Sequence, residues 1–230
     1  MKKFDDINNL LKTFETRFGI KAIGAVQGSE VWRDIKLGVI SASNASKAVA
    51  KKDSETRATY MAELVAQVCT GFMEEISSKA MDWGNAHEDA ARASYEFDSG
   101  HPIVQVPFVF KDENFREGCS PDGLTSATCG VEIKCPFNSV HYVKFIAEEK
   151  IKPEYVWQNQ FTMRVLGAES WDFGQYDPRM KVKPMHFITI KRDDEKQKAM
   201  DDLIPAFIYD MDQMLNKIGI KFGEQWTRKL

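Results

Sequence analysis

The sequence predicts an α/β fold in which a mixed central β-sheet is flanked by α-helices, and three observations point there. Apolar residues recur at three- and four-residue steps near both ends and in the middle of the chain, the signature of amphipathic helices. Short period-two or β-branched runs lie between them, at 103–110, 116–121, 130–135, 171–176 and 185–190. No internal repeat or low-complexity linker interrupts this alternation, so one domain spanning 1–230 is expected.

In chain order, Phe4, Ile7, Leu10, Leu11, Phe14 and Phe18 make a helical stripe that Gly19 ends, and residues 1–24 read as an N-terminal helical extension. Residues 31–37 form a short helix or extended piece leading to Gly38. Ser41 and Ser43 precede an alanine-rich run and mark a helix start, where hydroxyls and free N–H groups serve either simple capping or an anion. Residues 56–70 place Tyr60, Leu64, Val65, Val68 and Cys69 on one face, with Gly71 as the stop. A longer helical pattern at 77–97 carries Met81, Trp83 and Tyr95, with Glu88 among small and apolar neighbours, either solvated or functional.

The first strand, 103–110, alternates Val104, Val106 and Phe108 around Pro107, which suggests an edge or a bulge. The strands at 116–121 and 130–135 form the central pair. Helices follow at 141–149 and 154–166, the second with Gln158 and Gln160 beside Trp157, Phe161 and Val165. Two further strands are joined through a basic turn at 177–181, and a long amphipathic helix runs from Met200 to Ile218. The end of the chain, 220–230, is a tail whose apolar cluster at 222–226 docks on the body or at a subunit interface.

Composition narrows the function. With 31 Lys and Arg against 34 Asp and Glu, the net charge is −3, so any contact with a polyanion depends on local basic clusters. No apolar run approaches a membrane span and no signal peptide is evident, so a cytoplasmic protein is expected. The four cysteines show no C-x-x-C spacing and the four histidines are scattered, which favours reduced thiols over disulfides or a zinc site.

The chemistry concentrates in C-S-P-D-G…V-E-I-K-C-P at 119–136. Asp122, between Pro121 and Gly123, sits in a turn at a strand end. If 131–134 is a strand, Glu132 and Lys134 share one face and Val131 and Ile133 the other. Two carboxylates with an ammonium two residues on suit a hard divalent cation with an amine beside its bound water, which points to phosphodiester hydrolysis. The plain alternative is an ordinary turn followed by a solvated strand face. On the first reading, a glutamine on the helix 154–166 orients water or phosphate, and the basic turn at 177–181 is either solvated or a contact to the DNA backbone.

This arrangement resembles the PD-(D/E)xK nuclease signature, and the chain as a whole resembles the phage lambda exonuclease family of recombination nucleases. The likeness runs through L-G-V-I-S-A-S (37–43), V-C-T-G (68–71), W-G-N-A-H-E-D-A-A-R (83–92), C-S-P-D-G (119–123), E-I-K-C-P-F (132–137), Y-D-P-R-M-K (176–181) and F-G-E-Q-W (222–226). It implies a restriction-endonuclease-like core and a Mg²⁺-dependent enzyme, with Mn²⁺ a possible substitute. That enzyme digests one strand of linear double-stranded DNA from its 5′ end and leaves a 3′ overhang.

The resemblance assigns metal ligation to Glu88, Asp122, Glu132 and the Ile133 carbonyl, and water activation to Lys134. It favours Gln160 over Gln158 as the catalytic glutamine. Binding of the terminal 5′ phosphate falls to Lys36, Ser41, Ser43 and Ser120, with Lys36 standing where the family carries an arginine, and Met81 becomes an apolar wedge against the duplex end or, alternatively, plain core packing. It further implies a ring-shaped homotrimer and a single-strand annealing recombinase as partner. An endonuclease of the same fold and a non-catalytic DNA-binding module are the rival readings.

Overall fold

The structure, a computed structural model, describes residues 1–74, 78–125 and 129–227. Helices α1 (Phe4–Phe18), α2 (Glu30–Ile35), the single turn α3 (Ala45–Ala48), α4 (Glu55–Thr70), α5 (Lys79–Ser99), α6 (Ser139–Glu148), α7 (Pro153–Leu166) and α8 (Asp194–Ile218) surround two small sheets. The strands are β1 (Ile40–Ser41), β2 (Val109–Phe110), β3 (Glu117–Cys119), β4 (Gly123–Leu124), β5 (Gly130–Lys134), β6 (Ser170–Tyr176) and β7 (Met185–Lys191). Ser77, expected in α5, lies outside the described residues; Ser78 caps that helix by accepting from Met81 N.

The central sheet is divided. One sheet has the order β1-β3-β2 and the other β4-β5-β6-β7, each mixing parallel and antiparallel pairs. The break falls at Ser120, Pro121 and Asp122, between β3 and β4. Pro121 has no N–H to give a ladder, and the carboxylate of Asp122 accepts the Ile133 N–H at 2.6 Å, a position where a neighbouring strand would offer a carbonyl. The strand expected at 116–121 shortens to β3, and β5 pairs with β4 and β6, so the expected pair of 116–121 with 130–135 does not form.

The 103–110 segment also shortens. Only Val109–Phe110 is strand, and Val104 makes an isolated bridge to Leu124, since Pro102 and Pro107 interrupt the ladder. The serines at 41–43 lead into a 3-10 turn, 42–44, and the one-turn α3; Ser41 makes no side-chain cap there.

Two cores hold these layers. The larger joins α1, α3, α4, α7 and α8 to the three-stranded sheet through residues such as Leu11, Phe14, Leu64, Phe110, Phe161 and Phe207. Glu117 on β3 is buried and pairs with both Lys111 (2.6 Å) and Arg164 of α7 (2.9 Å), so its charge is matched inside this core. The smaller core packs Ala91 and Tyr95 of α5 on Val131 and Ile133 of β5. On the opposite face of that sheet, Phe173 of β6 meets Tyr155 of α7 and Phe145 of α6, at ring separations of 5.6 and 5.4 Å. The β5 strand therefore lies between α5 and α7, and its alternating side chains report to different helices.

Gly130 opens β5 because nothing larger fits. A Cβ there would stand 2.3 Å from the Trp171 ring and 2.6 Å from the Gly123 carbonyl. Gly130→Ala is expected to cost about 1–3 kcal/mol through overpacking. Thermal unfolding should show it as a Tm lower by roughly 2–4 °C per kcal/mol.

Candidate active site

Four elements place the candidate side chains. The turn after Pro121 supplies Asp122, β5 supplies Glu132, Ile133 and Lys134, α5 supplies Glu88, and α7 supplies Gln158. A cavity of about 620 Å³ is lined by Met81, Glu88, Asp122, Ile133, Lys134 and Tyr155, among others. A second cavity, on the other side of Glu88 and Asp122, shares both acids and Gln27 with the first. Together they make a groove that passes over the two carboxylates.

Glu132 is buried behind this wall. The Lys134 ammonium lies 2.5 Å from its Oε1, and Gln158 Nε2 donates to the same oxygen at 2.6 Å. Burial alone would pull the Lys134 ammonium down, but Glu132 and Asp122 outweigh it and hold the amine above its ordinary range. These two carboxylates thus favour the charged form of Lys134 in this arrangement. The Asp122 carboxyl is pushed well up, chiefly by burial and then by the neighbouring charges of Glu132 and Glu88, against the relief given by Lys134 and the Ile133 N–H. Glu88 accepts from Arg92, its i+4 neighbour.

Among the described residues no group of three or more His, Cys, Asp or Glu side chains stands as a finished metal cage. Glu132 is drawn toward Lys134 and Gln158, and Glu88 toward Arg92. The donor set nevertheless suits a hard divalent cation: the donors are all oxygen, and Asp122 sits under the repulsion of two other carboxylates, which a cation would relieve. The residues fit the ion by chemistry and charge, with the carboxylates engaged by nitrogen partners.

Gln160 needs correction. It is expected at the site, but its amide donates to the Lys191 carbonyl at 2.9 Å and accepts from Asp193 N at 2.9 Å. Gln197 of α8 also donates to its main-chain carbonyl. It therefore fastens α7 to the end of β7 and the start of α8. Residues two apart on a helix point about 200° from each other, so only one of the two glutamines can face Glu132, and that one is Gln158.

A second cluster gathers at the other residues singled out from the sequence. The Lys36 ammonium rests 3.4 Å from the centre of the Trp32 ring, one helical turn back, and no carboxylate pairs with it among the described residues. Loss of hydration lowers this amine to about 8. Trp32 Nε1 donates to the Ser120 hydroxyl at 2.8 Å, which leaves the Ser120 proton free to be donated elsewhere. β1 runs parallel to β3 with Ser41 opposite Gly118, two residues before Ser120. The Ser41 and Ser43 hydroxyls lie 3.2 Å apart, and Ser43 is exposed. The sequence reading did not select Trp32; its i−4 spacing from Lys36 is the signal that could have found it.

Arg179, in the basic turn after β6, is exposed but anchored. Arg179 donates to Asp177 at 2.7 Å and to the carbonyls of Phe137 and Pro136 at 3.0 Å each, and its guanidinium lies 4.4 Å from the centre of the Trp83 ring. It ties the loop after β5 to α5, both of which line the cavity. Met81, half exposed on the first turn of α5, opens onto that cavity, so core packing is not its setting.

Comparison with known proteins agrees with this architecture. The profile of the YqaJ-like viral recombinase domain matches residues 31–169, more than half of the chain. The crystal structure of the alkaline exonuclease LHK-Exo from Laribacter hongkongensis is similar with a TM-score of 0.77 and 31% identity, covering 83% of this chain and 96% of that one. Its complex with dAMP gives a TM-score of 0.76 and 32% identity over the same shares. A phage-related exonuclease from Haemophilus somnus 129PT shares the fold, with a TM-score of 0.66 and 16% identity over 78% of this chain and 96% of that one. The ExoD protein of Escherichia coli (strain K12) is 42% identical over 78 residues, which are 34% of this chain and 90% of ExoD. The restriction-endonuclease-like core that the resemblance implies is thus the fold observed, and the chain belongs to the YqaJ-like viral recombinase family, the lambda exonuclease family that its sequence blocks resemble.

Proposed function

We propose that this protein is a divalent-metal-dependent exonuclease that digests one strand of linear double-stranded DNA from a 5′ end and leaves a 3′ single strand. The observation that carries this reading is the arrangement of Asp122, Glu132 and Lys134 at a strand break beside a groove, with Glu88 facing Asp122 from α5. Likeness to an alkaline exonuclease over most of both chains supports the same class of reaction.

On this reading Asp122, Glu88, Glu132 and the Ile133 carbonyl would hold Mg²⁺ or Mn²⁺. When bound, such an ion polarises the scissile phosphate and makes a bound water more acidic. Lys134, kept cationic by its acidic neighbours, orients the attacking water and offsets charge that develops on the phosphate. Gln158 holds Glu132 in place. Lys36, with Ser120, Ser43 and Ser41, receives the terminal 5′ phosphate, and Met81 abuts the end of the duplex. The homotrimeric ring and the annealing partner belong to the same reading. A ring would let a chain of net charge −3 stay on DNA by topology where long-range attraction is weak.

The direct test uses end-labelled linear and closed circular duplex, with and without Mg²⁺. Mononucleotides should leave only linear DNA, from the 5′ end, and only with the ion. Lys134→Ala should slow this by about 100-fold or more while duplex binding persists; wild-type rates in that variant would refute the assignment.

The two glutamines separate by experiment. Gln158→Ala should lower kcat by about tenfold with a modest effect on folding. Gln160→Ala removes bonds that fix α7 to α8, and should lower stability by about 1–3 kcal/mol, read as Tm, while sparing kcat.

The phosphate subsite carries a pH signature. Lys36, lowered to about 8, is charged below that pH and loses its charge as pH rises through it. The preference in kcat/KM for 5′-phosphate over 5′-hydroxyl ends should therefore fade above about pH 8. In Lys36→Arg, whose guanidinium stays charged, the preference should be flat with pH.

A further inference from the structure

The segment that carries Lys36 is gripped by the far end of the chain. Helix α2 stops at Ile35, and the turn that follows closes on its end, with Lys36 N donating to the Arg33 carbonyl at 3.1 Å and Leu37 N to the Asp34 carbonyl at 3.2 Å. Trp226 Nε1 donates to the Asp34 carbonyl at 2.8 Å, and Gln225 Nε2 donates to the Leu37 carbonyl at 3.0 Å. Two side chains of the tail thus hold the main chain two residues before Lys36 and one residue after it. Gln225 is itself oriented, since Gly223 N donates to its Oε1 at 2.7 Å. From the other side, Gly38 N donates to Gln67 of α4 at 3.0 Å.

This turn has no slack. Gly38 adopts a φ of +71°, and a Cβ on it would come within 2.4 Å of Val68 and 3.4 Å of the Gln225 amide. Gln225 and Trp226 are both buried, and the Trp226 ring packs 4.8 Å from Phe14 and 4.7 Å from Phe18 of α1. Lys36 has no carboxylate among the described residues to fix its ammonium, so the position of its backbone decides where that charge stands over Trp32.

We propose that the C-terminal tail, through Gln225 and Trp226, is the positioning element that sets Lys36 and thereby determines selectivity for 5′-phosphorylated DNA ends. The inference rests on the reading of Lys36 as the phosphate ligand. Its physical basis is that a charged contact is sensitive to displacement, and a misplacement far from the chemistry is felt at the site. Gln225 and Trp226 touch no reacting atom, so they act only through the segment they hold.

The test uses the full chain carrying Gln225→Glu, which can still accept from Gly223 N but cannot donate to Leu37, and Trp226→Phe, which keeps an aromatic ring, though a smaller one, and loses the donor to Asp34. Both are compared with Lys36→Ala on linear duplex ending in a 5′ phosphate or a 5′ hydroxyl. The expected result is a ratio of kcat/KM for phosphate over hydroxyl ends that falls about fivefold, the loss of one hydrogen bond's worth of positioning. Rates on hydroxyl ends should stay near wild type. An unchanged ratio, or equal losses on both ends in step with a lower Tm, would overturn the proposal.

A second readout is independent of DNA. Acetylation of the Lys36 amine by acetic anhydride, followed by mass spectrometry, should be faster in both tail variants, and an unchanged rate would count against the clamp. If Lys36→Ala itself keeps the end preference, the phosphate reading fails and the selectivity proposal with it, whereas faster labelling in the tail variants would still establish the tail's hold on Lys36.

Discussion

The site depends on one hydrogen bond in which a side chain takes the place of a strand. Asp122 accepts the Ile133 N–H with its carboxylate, so β5 keeps its edge satisfied where the sheet breaks at Pro121. This substitution does two jobs at once. It ends the ladder between β4 and β5 without leaving the Ile133 N–H unpaired, and it fixes a carboxylate beside β5 at a defined height. With β6 paired in parallel on the other edge, β5 cannot shift register without turning Glu132 and Lys134 from α7 to α5. The geometry of the proposed site is therefore a by-product of how one strand is held on its two edges.

The two lysines of the proposed site show how the same side chain is tuned in opposite directions. Lys134 loses hydration yet lies against Glu132 with Asp122 nearby, and the attraction outweighs the burial, so its charge is secured. Lys36 also loses hydration, but it has an indole face in place of a carboxylate, and its affinity for a proton drops to about 8. A cation compensated from within supports chemistry on a substrate it need not attract strongly. A cation left uncompensated is an invitation to an anion from outside, which is the role proposed for it. Local arrangement of this kind lets a chain with more acids than bases handle a polyanion.

Much of this was legible in the sequence, for physical reasons that differ from residue to residue. Glu132 and Lys134 share a face because strand alternation leaves no choice, and α1, α4 and α8 follow from apolar periodicity, with glycine stops read at Gly19 and Gly71. The position of Asp122 was readable from Pro121 and Gly123 around it. The choice between Gln158 and Gln160 was not, because helix phase relative to a partner is set by packing, and local sequence leaves both candidates open. The division of the central sheet was also hidden: Pro121 signals an interruption, but only the pairing partners decide whether the chain resumes in the same sheet. The basic turn at 177–181 read as either solvated or a DNA contact; Arg179 in it is exposed, yet it is anchored to Trp83 and to the carbonyls of Pro136 and Phe137, partners distant in sequence.

That distance has a structural meaning for the proposed phosphate subsite. Lys36, Ser41 and Ser43 lie early in the chain, Ser120 in the middle, and the residues that grip the Lys36 turn at Gln225 and Trp226. Closing such long loops costs entropy that grows only slowly with length, and here that cost is offset by aromatic packing of Trp226 with Phe14, Phe18 and Phe222. The two ends of the chain thus meet in a core that is remote from the carboxylates yet continuous with the segment carrying Lys36. In the proposed function, hydrolysis rests on β5 with α5 and α7, and end recognition on α1 with the tail; α7 is common to both, since it also packs in the core of α1 and Trp226. Changes in the tail that leave α7 in place should therefore alter which ends are accepted while leaving Asp122, Glu132 and Lys134 where they are.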